Sequence, residues 1–192
     1  MGENNMRSKS IFVLVVLVSL FLLLGCGGGS DGGTTPPETD LKGRFIDSAV
    51  SGMQYAATPS GKTGTTDANG TFFYEAGDTV SFYIGDIQLG SVAAAPVLTP
   101  ISLVPGAVDE NNLTVQNIAR LLQTLDENDN PADGITISAE VSDAAIDINM
   151  PIMFSDVNFE SVATTLLNTI YTTVGTTPPM LVSPSDAAMH LA

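Results

Sequence analysis

A change of hydrophobic period divides this chain and limits what it can fold into. In Val80-Ser81-Phe82-Tyr83-Ile84, residues 80, 82 and 84 share one face. Ile87 and Leu89 continue that face beyond Gly85-Asp86, the pattern of two strands joined by a two-residue turn. Further on, Val115, Ile118, Ala119, Leu122 and Leu125 recur at helical spacing. Pro96, Pro100 and Pro105 with the polar run Asp109 to Asn112 separate the two regimes. The fold class expected is therefore α+β. A small antiparallel β-sandwich of about six or seven strands over residues 41–106 precedes a bundle of about four helices over 107–192, packed on or beside it.

Within the strand-rich part, Asp67-Ala68-Asn69-Gly70 lies between Lys62–Thr66 and Thr71-Phe72-Phe73-Tyr74. Asp and Asn bond nearby backbone and Gly tolerates positive φ, so a hairpin turn is expected there. The helical part opens with a helix over about Thr114 to Asp126. Arg120 and Gln123 lie off its apolar stripe and are expected on a solvated face, the alternative being ties to strand-end carbonyls or acidic groups. Ser138 should cap a second helix that carries Val141, Ala144, Ala145 and Ile148 and is stopped by Pro151. A third begins at Asp156 or Asn158, carries Phe159, Val162, Ala163, Leu166, Leu167, Ile170, Tyr171 and Val174, and ends at Gly175. Ser183-Pro184-Ser185-Asp186 reads as the capped start of a fourth.

The amino-terminal stretch has a different logic. Arg7 and Lys9 precede Ile11–Leu24, which is apolar except for Ser19. A helix of that length spans about 21 Å, short for a bilayer core of about 30 Å. A basic start, an apolar middle and a small residue before a cut are the parts of a secretory signal, here residues 1–25. Leu23-Leu24-Gly25-Cys26 resembles a bacterial lipoprotein lipobox. The resemblance implies cleavage before Cys26, a diacylglycerol group on its thiol and an N-acyl chain, such as palmitate, on the freed amine. Each buried methylene contributes about 0.8 kcal/mol, so two or three chains hold firmly. Gly27 at the following position resembles lipoproteins sent to the outer membrane. Residues 26–40 form the lipidated cysteine and its tether: residues 27–40 read GGGSDGGTTPPETD, a composition that cannot pack, with an end-to-end distance of about 20 Å.

Two further resemblances follow. Gly43-Arg44-Phe45-Ile46-Asp47, Val50-Ser51-Gly52 and Thr65-Thr66-Asp67-Ala68-Asn69-Gly70-Thr71-Phe72 resemble carboxypeptidase-regulatory-like, transthyretin-like β-sandwich modules of secreted bacterial proteins. Phe73-Tyr74-Glu75-Ala76-Gly77-Asp78, Thr99-Pro100-Ile101-Ser102-Leu103 and Asn117 to Asp126 are similar to uncharacterised proteobacterial exported lipoproteins. The latter resemblance implies a lipid-anchored exported module and no activity.

Charge narrows the partners. With the leader removed, 20 acidic and four basic side chains remain, a net charge of −16. Such a field repels nucleic acid and anionic headgroups and favours cations. Cys26 is the single cysteine, so no intrachain disulfide is available.

Chemical groups are sparse. Asp126, Asn128, Asn130 and Asp133 have oxygen-ligand spacing like that of a calcium loop between helices. However, Pro131 stands where such a loop wants glycine, and Ile137 where it wants a bidentate Glu. His190, the single histidine, is a general-base candidate without a Gly-x-Ser-x-Gly elbow. One histidine and one acylated cysteine do not make a zinc site. Tyr55, Tyr74 and Tyr83 are candidates for a binding face, whereas Phe45, Phe72, Phe82 and Phe159 belong in the core. The expected function is a non-enzymatic binding or structural module, anchored by lipid at the outer membrane, facing the periplasm or the cell surface, with an envelope or extracellular protein as partner. Its alternatives are the accessory domain of a secreted hydrolase and a calcium-stabilised adhesion module.

Overall fold

Alternation in the 80–89 region produces one half of the largest sheet. Strands β1 (Leu41–Phe45), β2 (Val50–Ser51), β3 (Gln54–Thr58), β4 (Thr63–Thr65), β5 (Thr71–Tyr74), β6 (Thr79–Ile84), β7 (Ile87–Ala93) and β8 (Val97–Leu98) precede helix α1 (Leu113–Thr124). Strand β9 (Ile135–Thr136) and helices α2 (Ala139–Ala144), α3 (Phe159–Val174) and α4 (Pro184–Leu191) follow. This computed structural model describes residues 40–148 and 150–191. The signal segment, Cys26 and the tether up to residue 39 lie outside the described residues. The architecture is α+β, with nine strands and four α-helices among the described residues, and no helix among them is long and apolar enough to cross a membrane.

The expected β6–β7 hairpin forms, with Ile84 opposite Ile87 across Gly85-Asp86. It belongs to a four-stranded antiparallel sheet ordered β4-β3-β6-β7. A second sheet is ordered β5-β1-β8. The two sheets meet through aromatic rings. Phe45 on β1 lies 4.8 Å from Phe82 on β6, and Phe72 on β5 meets Phe82 edge-on at 5.2 Å. Such ring pairs each contribute about 0.5–1.5 kcal/mol beyond their buried area. The sheets are not wholly antiparallel, because β8 runs parallel to β1 and β9 parallel to β2.

The Asp67–Gly70 segment turns for the expected reason. Asp67 Oδ1 accepts the Asn69 and Thr71 amides at 2.8 and 2.9 Å, and Gly70 sits at φ 71°. A Cβ at Gly70 would strike the Phe45 carbonyl. The turn does not close a hairpin, however. Strand β4 pairs with β3 and strand β5 with β1, so the chain crosses between sheets here. Tyr55 and Tyr74 do not form a binding face: both rings are buried beside Phe72, and Tyr83 is half-buried.

Helix α1 starts where Asn112 Oδ1 accepts the Thr114 amide at 2.9 Å. It ends before Asp126 because that carboxylate turns out of the helix to accept backbone amides of the next loop. Arg120 and Gln123 do not face solvent; both are buried. Arg120 Nε donates to the Val182 carbonyl at 2.6 Å, and its guanidinium lies over the Phe159 ring. Asn117 donates to the Phe154 carbonyl at 2.8 Å. Every residue of α1 from Asn117 to Thr124 is thus enclosed.

Ser138 caps α2 as expected, but α2 stops at Ala144, well short of Pro151. The β6–β7 turn abuts its end: the Asp86 amide donates to the Ala145 carbonyl, and Asp86 Oδ2 accepts the Asp147 amide at 2.8 Å. Helix α3 buries Phe159, Ala163, Leu166, Leu167 and Ile170 and ends at Gly175 in the left-handed region. Ser183 caps α4, accepting the Asp186 amide and donating to its carboxylate. Sheets and helices share one hydrophobic core, from Phe45 and Phe82 through Ile118 and Leu122 to Leu166 and Ile170.

Candidate functional site

The polar groups converge where the end of β1 meets α1 and α4. Ile46 and Ala49 bridge across Asp47-Ser48, a two-residue turn with Ser48 at φ 52°. A non-glycine residue in that region is strained and persists only where its surroundings hold it. Two helices provide that hold. From α1, Gln123 Nε2 donates to both oxygens of Asp47 at 3.2 and 3.3 Å. From α4, His190 Nε2 lies 3.0 Å from Ser48 Oγ. Gln123 also reaches the Ala187 carbonyl at 3.5 Å, tying the two helices together.

The environment of Asp47 is nearly dry, with 2 % of its surface exposed. Burial pushes its carboxyl up to about 7, against the opposing pull of the Gln123 hydrogen bond. Asp47 is therefore poised to exchange a proton near neutrality. Its carboxylate is nevertheless turned to Gln123, while His190 is turned to Ser48. A serine–histidine relay needs an acceptor that orients the second ring nitrogen, and the Asp47 hydrogen bonds run elsewhere. A cleft of about 410 Å³ opens beside this junction, lined by Gln123, Pro131, Val182, Asp186, Met189 and His190.

The sequence marked two of these groups, His190 as a general-base candidate and Asp47 within a phrase that carries the sandwich resemblance. It gave no signal for Ser48, and it placed Gln123 on the wrong face. The signal available was the pairing of a polar residue inside an otherwise apolar helix with a lone acid between apolar runs, which says nothing of which partner each finds.

Asp126, Asn128, Asn130 and Asp133 do come together in one loop. Their oxygens are engaged by the protein itself. Asp126 Oδ1 accepts the Thr136 amide and Oδ2 the Asn130 amide, each at 2.9 Å. Asn128 Oδ1 accepts the same Asn130 amide. Asp133 accepts the side-chain amides of Asn128 and Asn130. The loop thus works as a hydrogen-bonded clip that carries α1 into β9. Among the described residues, no group of three or more His, Cys, Asp or Glu side chains is arranged to hold a metal.

Elsewhere, Asp78 organises the corner between β3 and β6. Burial alone would raise its carboxyl, but bonds from Ser60 Oγ and from the Glu75 and Ser60 amides outweigh it and hold the group below the ordinary range. Comparison with known proteins adds no relative: no family model matches the chain, and no curated protein or solved structure matches it.

Proposed function

We propose that the chain is an exported lipoprotein, held at the outer membrane by acyl chains on Cys26, whose folded part is a binding or structural module rather than an enzyme. The lipobox Leu23-Leu24-Gly25-Cys26 and the polar tether behind it support the anchor. One observation carries the non-enzymatic reading. At the junction of β1, α1 and α4, Asp47 is satisfied by Gln123, and Ser48 contacts His190. These groups are engaged in holding a strained turn. They work as a clasp that fixes the helices to the sheets, which suits a rigid scaffold.

Intact-mass measurement of the protein purified from envelopes tests the anchor. The expected product begins at Cys26 and carries two or three acyl chains, and Cys26→Ser releases it from the membrane fraction. A free thiol with the leader still attached refutes the anchor. A screen of ester, glycoside and peptide substrates tests the second half, with His190→Ala as comparison. The expected result is no turnover by either form; turnover abolished by His190→Ala refutes the module reading. Crosslinking in intact envelopes should recover a protein partner above a lipid-anchor control.

A further inference from the structure

We propose that the outer face of the β5-β1-β8 sheet is the face that rests on the phospholipid surface, its cations against anionic headgroups. This rests on the lipid anchor just proposed. In β1 the inward residues Gly43 and Phe45 alternate with exposed Lys42 and Arg44. In β5 the exposed residue is Phe73, paired across from Lys42, whose ammonium lies 5.6 Å from the ring centre. Val97 on β8 is 55 % exposed and sits beside Arg44. One sheet face therefore presents two cations flanked by an aromatic and a branched apolar side chain. Residues with apolar bodies and charged or polar tips suit the headgroup layer.

The distribution of charge singles out this face. The described residues contain four Lys or Arg and 18 Asp or Glu. Lys42, Arg44 and Lys62 lie on or at the rim of this sheet. They meet Asp40, Asp67, Glu75 and the buried Asp78. Lys62 bridges Asp40 at 2.6 Å and Glu75 at 2.7 Å, so one cation is shared between the two acids at the rim and offsets half of their charge. Asp67 lies near Arg44, whose Nε donates to the Asn69 carbonyl at 2.8 Å. The other 14 carboxylates are accompanied by Arg120 alone, which is buried. A body of this charge is repelled by an anionic surface from every side except the near-balanced one.

The tether meets the fold at that side. Cys26 is followed by 14 residues, the last of which, Asp40, leads directly into β1. Even fully extended, a chain of that length reaches only about 50 Å, which bounds how far the sheet can stand from the headgroups. Lipid attachment raises the local concentration of the face, so that two cations and a ring, weak by themselves, suffice to orient the body.

The chain contains no tryptophan, which permits a direct test. Lipidated full-length protein carrying Phe73→Trp is reconstituted into phosphatidylcholine vesicles with or without phosphatidylglycerol. Emission at position 73 should shift to the blue and be quenched by acyl-brominated lipid, more strongly with phosphatidylglycerol. The effect should weaken in high salt and with Lys42→Glu and Arg44→Glu together. Val157→Trp, at a position 86 % exposed before α3, should show neither change. Val97→Trp serves as a second reporter on the same face should Phe73→Trp unfold. Flotation with the vesicles while tryptophan at 73 and 97 behaves like that at 157 overturns the inference and leaves the anchor intact. Failure to float overturns the anchor and the inference with it.

Discussion

Asp47→Asn should make the protein more stable above neutral pH while leaving it slightly weaker in acid. The buried carboxyl titrates at about 7 in the folded state, against an ordinary value of 3.8. A folded-state value raised in this way favours folding when the group is protonated. Below the ordinary carboxylate range both states hold the proton and the stability is complete. Between the two values the folded state alone keeps it, and each pH unit removes about 1.4 kcal/mol. Across the window the wild type loses about 4 kcal/mol, and above about 7 the loss is complete. Asparagine does not ionise and escapes it. In acid the variant differs only by a rearranged bond to Gln123, worth about 1 kcal/mol. Urea unfolding followed by far-ultraviolet circular dichroism, at about pH 4 and about pH 8, measures the contrast. Subtracting variant from wild type at each pH cancels the other carboxylates. A stability difference that is the same at both pH values refutes the reasoning, since it would mean that the acid ionises in place at little cost.

Four other substitutions have expected outcomes. Gly52→Ala, at φ 81° with its new Cβ driven into the Ile137 carbonyl, should cost about 2–4 kcal/mol in chemical unfolding by breaking the β2–β9 pairing. Arg120→Ala should cost about 3 kcal/mol, because it leaves the Val182 carbonyl and Asn117 side chain without their donor. Glu160→Gln should cost under about 1 kcal/mol, since Glu160 is 73 % exposed at the far side of that ion pair. Asp126→Asn should lower the unfolding midpoint by removing an acceptor of the Thr136 or Asn130 amide, whereas millimolar calcium should leave the wild-type midpoint unmoved in calorimetry; a calcium-dependent rise would mean that these oxygens can be freed for an ion.

What could be read from the sequence was what is decided locally. The β6–β7 hairpin, the caps at Ser138 and Ser183 and the glycine stop of α3 depend on neighbours within a few residues, and their side chains declare it. The turn at Asp67–Gly70 was readable as a reversal, but turn chemistry does not choose the sheet that each flanking strand joins. Polar residues of α1 were unreadable for a related reason. Arg120, Gln123 and Asn117 look like a wet face until Val182, Asp47 and Phe154 are brought to them from distant segments. Burial of Tyr55 and Tyr74 depends in the same way on two sheets closing over Phe72. The candidate site was the least readable part, because its turn owes its shape to helices that come much later in the chain.

The short parallel pairing of β2 with β9 has a consequence for how such a chain comes into being. Val50 finds its neighbour in Ile135, so amino-first emergence during synthesis leaves the early segments unfinished until most of the polypeptide is out. Throughout that interval the backbone edge at Val50-Ser51 and the undersides of the aromatic layers are open to proteases and to other nascent chains. Maturation of this protein should therefore depend more on holdase capacity than its modest size suggests.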